Sequence, residues 1–486
     1  MKEEMRVQLL LNIHNNNDKL DDEADNGLSS PQPPPMDTSL AAPITPMLLL
    51  SVFIAVVGSF SAGFVVGYTS PVQTELIKEL DLSTAQFSLF GSLVSVGSAL
   101  GSVVCGKLTD YLGRRHVLQL TSLVNILGWF AISVSQGTRL LDLGRWMLGF
   151  TGGVCSFAIP VYVAEFTPKN FRGGFVILHV LMITVGASAA FLIGLITSWR
   201  TLALIGMIPN LVQIVGVLFI PESPRWLMMM GKNKEFEAAL QCFRGGFVDI
   251  SQEAADIRDS AETLDQIEKV STLQLFQRKY AYAHTVGIGL SALGGLVGLN
   301  GIMFYAGSIF ESAGFPVKVG TAAVAFFQLP SVVLGVILMD KCGRRPLIMI
   351  SAAGIFLGCS LTGVAFLFKE HHLLGGFSPC IALIGILMYV AFYPIGVGGG
   401  TCIIISEIYP LNIKGSAGSI AAVVSSLSSW IVSYAFNFSM EWSSSGTFFV
   451  MAGVCVFTLI FVAKLVPETK GKTLEEVHMT MSNAWQ

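Results

Sequence analysis

Charged residues are scarce in this chain. Asp, Glu, Lys and Arg make up 13% of its 486 residues, about half of the roughly 25% that a soluble domain carries. Hydrophobic residues account for 52%, and the mean hydropathy is +0.66. This composition excludes a soluble globular enzyme and predicts an all-α membrane protein that crosses a lipid bilayer many times.

Excess positive charge, paired cysteines and phosphate-binding loops are also missing. The net charge is −3 and no basic stripe is present, so we expect no nucleic-acid partner. The eight cysteines are scattered without a Cys-x-x-Cys pair, which disfavours disulfides and a zinc site. No nucleotide motif and no nucleophile–base or metal constellation occurs, so we expect neither a cofactor nor an enzymatic activity.

Twelve long apolar runs dominate the rest of the sequence. Each has about 20 residues, the length that an α-helix needs to cross a ~30 Å hydrocarbon layer. The predicted membrane spans, numbered 1 to 12 in chain order, are 47–69, 84–106, 117–136, 141–163, 174–197, 200–220, 282–305, 319–339, 347–368, 379–405, 416–438 and 446–466.

Polar segments between these runs predict the domain organisation. Most of the 29 Lys and Arg residues lie on the same side as both termini, which predicts cytoplasmic termini. Between spans 6 and 7, Phe236, Ala239, Leu240 and Phe243 recur at helical spacing and predict an amphipathic helix. The predicted parts are a disordered cytoplasmic tail at 1–42, a six-helix bundle at 43–220, a cytoplasmic linker with short helices at 221–281, a second six-helix bundle at 282–466 and a cytoplasmic tail at 467–486.

Three motifs occur twice and in the same order. An Asp-x-x-Gly-Arg-Arg segment, a Glu-x-x-Pro segment and a Pro-Glu-Ser/Thr segment each appear once per half. The copies begin at Asp110 and Asp340, at Glu165 and Glu407, and at Pro221 and Pro467. A repeated order of this kind indicates two parallel halves of six spans each, the pattern of a two-half transporter.

Together these motifs resemble the sugar porter family of the major facilitator superfamily, over nearly the whole chain after residue 45. The segments 199–227, 298–305 and 433–438 are most similar to the plant early-responsive-to-dehydration-six-like monosaccharide transporters. The resemblance implies the major facilitator fold, with twelve transmembrane helices in two six-helix bundles. It also implies alternating access and a monosaccharide-class substrate that binds between the halves.

The resemblance further implies a network of ion pairs that closes the cytoplasmic side of the carrier. Exposed single ion pairs contribute only about 0–1 kcal/mol, so such a gate has to act as a network. Its implied members are Asp110, Arg114, Arg115, Glu165, Arg172 and Glu222 in the first half and Asp340, Arg344, Arg345, Glu407, Lys414 and Glu468 in the second.

Most of the amide side chains that sugar porters use to bind a sugar are missing here. The positions of a Gln in span 5, a Gln pair in span 7, a Trp in span 10 and an Asn in span 11 are held by Val180, Gly294, Gly295, Cys402 and Ser425. The substrate-binding residues that the resemblance still implies are Asn300, Gln328, Phe304 and Tyr305. Each lost hydrogen bond costs about 0.5–1.5 kcal/mol, so hexose binding in this altered pocket is an open question.

The acidic side chain that the resemblance associates with proton coupling is also missing. Proton-coupled relatives carry an Asp in span 1 opposite an Arg in span 4, and here Thr69 stands at that position while Arg145 is retained. Threonine does not titrate, which favours facilitated diffusion of a hexose or polyol. Two alternatives stay open: a proton symporter, for which Asp142 is the nearest acid, and a non-transporting sugar sensor with a degenerate pocket. The sequence leaves plasma membrane or vacuolar membrane, and the oligomeric state, undecided.

Overall fold

The computed structural model describes residues 44–168, 170–266, 277, 280–372, 375–410 and 413–470. The predicted tail at 1–42 lies outside the described residues, as do residues 471–486 of the predicted C-terminal tail. The domain boundaries drawn from the sequence therefore stay predictions.

Within the described part, twelve segments are helical, long and apolar enough to cross a membrane, which confirms the predicted number of spans. Spans 1 to 12 are Pro46–Leu80, Thr84–Leu112, Arg114–Ser133, Thr138–Phe166, Arg172–Gly194, Trp199–Val217, Ala281–Ala313, Val317–Met339, Arg344–Glu370, Ser378–Ile408, Lys414–Trp442 and Ser444–Leu465. The helix that forms span 8 continues to Lys341.

Spans 7 and 10 are broken, although the sequence predicted each as continuous. Span 7 consists of Ala281–Leu296 and Leu299–Ala313, and Gly298 between them takes a positive φ of 94° that favours glycine. Span 10 consists of Ser378–Phe392, a 3₁₀ turn at Tyr393–Ile395 and Val397–Ile408. Such breaks place irregular backbone in the interior of the protein, where only other protein groups or a cavity can satisfy it.

The hydroxyl of Ser351 satisfies the backbone at the break in span 10. It donates a hydrogen bond to the Phe392 carbonyl oxygen at 2.7 Å and accepts one from the Val397 amide at 3.0 Å. The two backbone groups that the turn leaves without helical partners are therefore paired by one side chain of span 9.

Span 1 runs well beyond its predicted end at residue 69. Its last turns carry Glu75 and Glu79, which the sequence pattern placed outside the membrane run. Glu75 accepts a hydrogen bond from the Trp199 amide at 3.0 Å, and Glu79 accepts one from the Trp199 indole at 2.6 Å and pairs with Arg200 at 2.9 Å. The start of span 6 thus provides partners for these carboxylates, and the helix continues past the apolar segment.

Spans 2 and 4 pack at very short distance because glycines face each other across their contact. A Cβ atom at Gly97 or Gly101 would collide with span 4 backbone, and one at Gly149 or Gly153 would collide with span 2 backbone. Small residues at i and i+4 let membrane helices approach this closely. This contact fixes the position of the span 2 and span 4 side chains that line the central cavity.

The halves pack internally and also against each other. Within the halves, span 1 packs on span 5, span 3 on spans 4 and 6, and span 9 on spans 10 and 12. Between the halves, span 1 packs on span 7, span 2 on span 11 and span 5 on span 8. The central cavity lies beside the contact of spans 2 and 11.

Short helices follow span 6 in the linker. They are Pro224–Met229, Asn233–Arg244 and Ser251–Gln266. Outside the linker, a separate 3₁₀ turn at Gly375–Phe377 precedes span 10. The predicted amphipathic helix is confirmed, because Phe236, Ala239, Leu240 and Phe243 are all buried. Phe243 stacks on Phe166 at the end of span 4, with ring centroids 4.8 Å apart, and so attaches the linker to the first half.

Candidate functional site: a central cavity between paired charged motifs

Glu222 caps the first helix turn of span 3. Its carboxylate accepts hydrogen bonds from the backbone amides of Arg114 and Arg115, each at 3.0 Å, and from that of Ser223 at 2.8 Å. Gly113, which precedes the helix, has a φ of 87°, and a Cβ there would lie 2.5 Å from the carboxylate. The glycine of the first Asp-x-x-Gly-Arg-Arg motif is thus required both for its backbone conformation and to make room for the cap.

Burial raises the pKa of the Glu222 carboxyl. The three backbone amides and the neighbouring His116 act in the opposite direction, but desolvation is the larger effect. The carboxyl group therefore keeps its proton to a higher pH than an exposed glutamate does.

Glu468 repeats the same arrangement at span 9. It accepts hydrogen bonds from the amides of Arg344 at 3.1 Å, Arg345 at 3.2 Å and Thr469 at 3.0 Å. A Cβ at Gly343 would collide with its carboxylate. The duplicated motifs of the sequence are therefore two copies of one structural unit, and we call the end of the protein where they lie the motif end.

Ion pairs at the motif end link residues of the same half. Arg114 contacts Glu165 at 2.8 Å and Asp110 at 3.7 Å, and Arg344 contacts Glu407 at 3.2 Å. Among the residues that the structure describes, no ion pair joins a predicted gate residue of one half to one of the other half. The predicted gate residues that form ion pairs in this structure therefore lie in two separate clusters, one in each half.

The other predicted gate residues are placed less tightly. Arg115 donates to the Leu218 carbonyl oxygen at 3.2 Å, and Arg345 donates to that of Ala463. Arg172 begins span 5, and Lys414 begins span 11 and lines the cavity. The side chain of Asp340 lies outside the described residues. That these residues form a closing network between the halves stays a prediction.

A continuous cavity runs from the motif end to the middle of the protein. Its outer part, which we call the vestibule, has a volume of about 660 Å³ and reaches Lys414 and Gly415 at the motif end. Its inner part, the central chamber, has a volume of about 270 Å³. Ser98, Ser425 and Ser426 line both parts and so join them.

The chamber is lined by apolar side chains and by small hydroxyls. Its polar lining consists of Asn300 and five serines, Ser95, Ser98, Ser425, Ser426 and Ser429. None of its described lining residues is charged. The sequence interpretation missed four of these serines. A signal was present, since Ser95 and Ser98, and likewise Ser426 and Ser429, are one helical turn apart.

The structure separates the four predicted substrate-binding residues. Asn300 and Phe304 line the chamber. Tyr305 is fully buried, donates to the Ser433 carbonyl oxygen at 3.0 Å and stacks on Phe436. These contacts place Tyr305 behind the chamber, on the side away from the motif end.

Gln328 takes part in a contact between spans 8 and 5. Its side-chain amide donates to the Ser188 hydroxyl at 2.6 Å, and the lining of the chamber and vestibule does not include it among the described residues. A role for Gln328 in substrate binding stays a prediction.

The positions at which this chain lacks the Gln, Trp and Asn side chains implied by the resemblance have different surroundings. Gly294 and Cys402 line the vestibule, and Ser425 lines both parts of the cavity. Val180 is 46% exposed and lies outside both linings. A Cβ at Gly295 would meet the Ser425 carbonyl oxygen at 2.6 Å, so this glycine allows spans 7 and 11 to approach.

The end opposite the motif end is sealed by contacts between the halves. The Gly307 amide donates to the Ser70 hydroxyl at 2.9 Å, and Asn437 donates to the Ser88 hydroxyl at the same distance. The Tyr305 ring packs against Phe87 with centroids 6.1 Å apart. Among the described residues, these contacts close this end of the protein, whereas the vestibule reaches the motif end.

Arg145 of span 4 lies behind the chamber and is fully buried. Its guanidinium donates to the Val65 carbonyl oxygen at 2.9 Å and to the Thr69 hydroxyl. It also lies over the rings of Phe90 at 5.1 Å and Phe304 at 5.7 Å. Among the described residues no carboxylate bonds to it, so carbonyl, hydroxyl and aromatic groups compensate its charge.

Twelve spans around a cavity that is open at one end and sealed at the other define a membrane transporter. The chain belongs to the sugar transporter family, since the family model "Sugar (and other) transporter" matches residues 46–480. The predicted family is thereby confirmed, and a sugar transporter of this family is not an enzyme.

Plant proteins are among the most similar relatives. "Sugar transporter ERD6-like 16" of Arabidopsis thaliana is 49% identical over 432 residues, which cover 89% of this chain and 90% of that protein. "Sugar transporter ERD6-like 7" of the same plant is 43% identical over 431 residues, which cover 89% of this chain and 93% of that protein. The predicted resemblance to this plant group is confirmed.

Solved structures of a bacterial transporter share the fold. The inward open conformation of the xylose transporter XylE from E. coli superposes with a TM-score of 0.76 at 23% identity, covering 89% of this chain and 99% of that one. The proton:xylose symporter XylE bound to 6-bromo-6-deoxy-D-glucose gives a TM-score of 0.72 at 23% identity, covering 90% and 99%. These likenesses confirm the major facilitator fold with two six-helix bundles.

Proposed function

We propose that this protein carries neutral monosaccharides or polyols across a membrane by facilitated diffusion, through alternating access of the central chamber. The observation that carries the proposal is the environment of Arg145. Its partners are a carbonyl oxygen, the Thr69 hydroxyl and aromatic rings. None of these groups takes up and releases a proton near neutral pH, so the partners of Arg145 offer no means of proton coupling.

The chamber itself supports a neutral substrate. Hydroxyl and amide side chains of its lining can exchange hydrogen bonds with the hydroxyls of a sugar or polyol. A charged substrate would lose its hydration in a chamber whose described lining carries no counter-charge, which costs several kcal/mol. A polyhydroxylated, uncharged molecule fits this chemistry best.

The open motif end supports alternating access. With both termini in the cytoplasm, as the Lys and Arg distribution predicts, the motif end faces the cytoplasm. The conformation described here is then the inward-open one, with its gate residues grouped in two separate half-clusters. Movement to the outward-open state would bring these clusters together and release the contacts of Ser70 and Ser88 with the second half. The membrane we propose is the plasma membrane or the vacuolar membrane.

Uptake into proteoliposomes tests the proposal. The purified protein is reconstituted and offered a radiolabelled panel of pentoses, hexoses and linear polyols, with and without an imposed proton gradient. We expect saturable uptake that stops when the internal and external concentrations are equal, at a rate that the gradient leaves unchanged.

Two other results would overturn this function in different ways. Accumulation above the external concentration that follows the proton gradient would identify a symporter. A folded protein that binds a panel member but moves none of them would identify a sensor.

A further inference from the structure

Serine hydroxyls in membrane helices usually donate to a carbonyl oxygen one turn earlier in their own helix. Span 2 follows this rule at Ser92, which donates to the Leu89 carbonyl oxygen at 3.1 Å, and at Ser102, which donates to that of Ser98 at 2.9 Å. Span 11 follows it at Ser419, with a bond of 3.1 Å to the Gly415 carbonyl oxygen. The hydrogen-bonding capacity of these side chains is used within the helix.

The serines of the central chamber behave differently. Within the described part of the chain, the hydroxyls of Ser98, Ser425, Ser426 and Ser429 make no hydrogen bond to protein, and we call them the free serines. These hydroxyls are not buried in protein without a partner, because they face the open space of the cavity. Such hydroxyls are available to a molecule that enters the chamber.

The free serines belong to both halves of the transporter. Ser98 lies on span 2 in the first half and the other three lie on span 11 in the second, and these spans pack against each other. Asn300 of span 7 supplies the one amide side chain of the described chamber lining. It donates a long hydrogen bond of 3.5 Å to the Ser95 hydroxyl of span 2. A single bound molecule can therefore contact both halves at once.

We propose that the free serines, with Asn300, form the recognition site for the hydroxyls of the substrate. The inference rests on the proposed function and adds which side chains bind and how selective they are. A carboxamide presents its donor and acceptor in fixed directions, whereas a serine hydroxyl rotates and can donate or accept. A site built from rotating hydroxyls follows the arrangement of hydroxyls on its ligand, so it accepts epimers and acyclic polyols alike.

Alanine substitutions test the assignment with controls on the same helices. Ser98→Ala and Ser425→Ala each remove one free hydroxyl, and we expect each to raise KM or Kd by about 2- to 12-fold, the value of one hydrogen bond. Ser92→Ala and Ser433→Ala are the matched controls, because those hydroxyls bond to their own helices and lie outside the chamber lining. We expect the controls to keep the wild-type KM.

Selectivity provides the second measurement. Wild-type KM values for D-glucose, D-galactose, D-mannose and D-sorbitol should lie within about tenfold of one another, the value of a single hydrogen bond. Ser425→Asn places a fixed amide in the chamber and should widen this spread.

The possible outcomes separate the two proposals. If the folded wild-type protein neither binds nor transports any sugar or polyol, the proposed function fails and this inference fails with it. If the wild type transports but Ser98→Ala and Ser425→Ala keep its KM, only the assignment of the free serines is overturned. A wild-type preference above a hundredfold between epimers overturns the tolerance that we infer from rotating hydroxyls.

Discussion

Substituting Phe304 by leucine should shift the protein toward the state that is open at the end sealed in this structure. Phe304 lies on span 7 in the second half, and its ring covers the guanidinium of Arg145 in the first half at 5.7 Å. Both side chains are fully buried. The contact therefore joins the halves on the sealed side of the chamber, and the proposed alternating access would break it when that side opens.

The magnitude follows from the burial of the pair. A desolvated cation–π contact contributes about 2 kcal/mol, and leucine keeps an apolar side chain while removing the aromatic ring. A loss of about 2 kcal/mol changes an equilibrium constant by roughly 30-fold. We expect the ratio of motif-end-open to motif-end-closed protein to fall by about that factor in the Phe304→Leu variant.

Cys402 provides a native reporter for this shift, because it is exposed and lines the vestibule. The other exposed or partly exposed cysteines, Cys242, Cys342 and Cys380, are first replaced by serine. The rate at which a membrane-impermeant maleimide labels Cys402 from the motif end then follows the open population. Phe304→Leu should slow the labelling in the absence of substrate.

Phe90→Leu is the matched control. Its ring covers the same guanidinium at 5.1 Å, but it lies on span 2 in the same half as Arg145, so its loss should leave the equilibrium between the two states nearly unchanged. Wild-type labelling of the Phe304→Leu variant, or equal slowing in both variants, would refute the argument that the contact between halves holds the seal.

Three further predictions concern the first half and the duplicated caps. Gly153→Leu should abolish the folded protein, measured as loss of the monodisperse peak in detergent, because any Cβ there collides with the span 2 backbone. Glu222→Ala and Glu468→Ala should each lower the free energy of unfolding by about 1–3 kcal/mol, since each leaves three backbone amides without their acceptor. Thermal unfolding measures this loss, and the control Glu235→Ala, at an exposed residue, should leave the stability nearly unchanged. Thr69→Asp should give Arg145 a carboxylate partner and make uptake depend on pH; a flat pH profile would mean that this position does not control coupling.

The sequence pattern predicted the number of membrane spans but not the breaks within them. Apolar run length predicted twelve spans, because a membrane helix satisfies its own backbone and needs only enough apolar residues to cross the bilayer. The breaks in spans 7 and 10 were missed, although Gly298 and Pro394 stand at them. Whether such a residue breaks a helix depends on neighbours such as Ser351, which supplies the replacement hydrogen bonds from span 9.

Some features of the candidate site were likewise predicted from the sequence, and others were not. The duplicated motifs were visible as a repeat, but the role of Glu222 as a cap was not, because its partners Arg114 and Arg115 lie more than a hundred residues away in the chain. The resemblance placed Asn300 in the pocket, and it lines the chamber. It grouped Gln328 with Asn300, whereas the structure shows Gln328 bonded to Ser188 between spans 8 and 5.

The sequence by itself determined that this protein is a twelve-span transporter with two related halves and a sugar porter resemblance, because composition, run length and repeated motifs are properties of the chain alone. Only the tertiary structure decided which hydroxyls are free to meet a substrate. A serine such as Ser92 and one such as Ser98 look alike in the sequence, and they differ because one bonds to its own helix while the other faces a cavity that spans 2 and 11 enclose together.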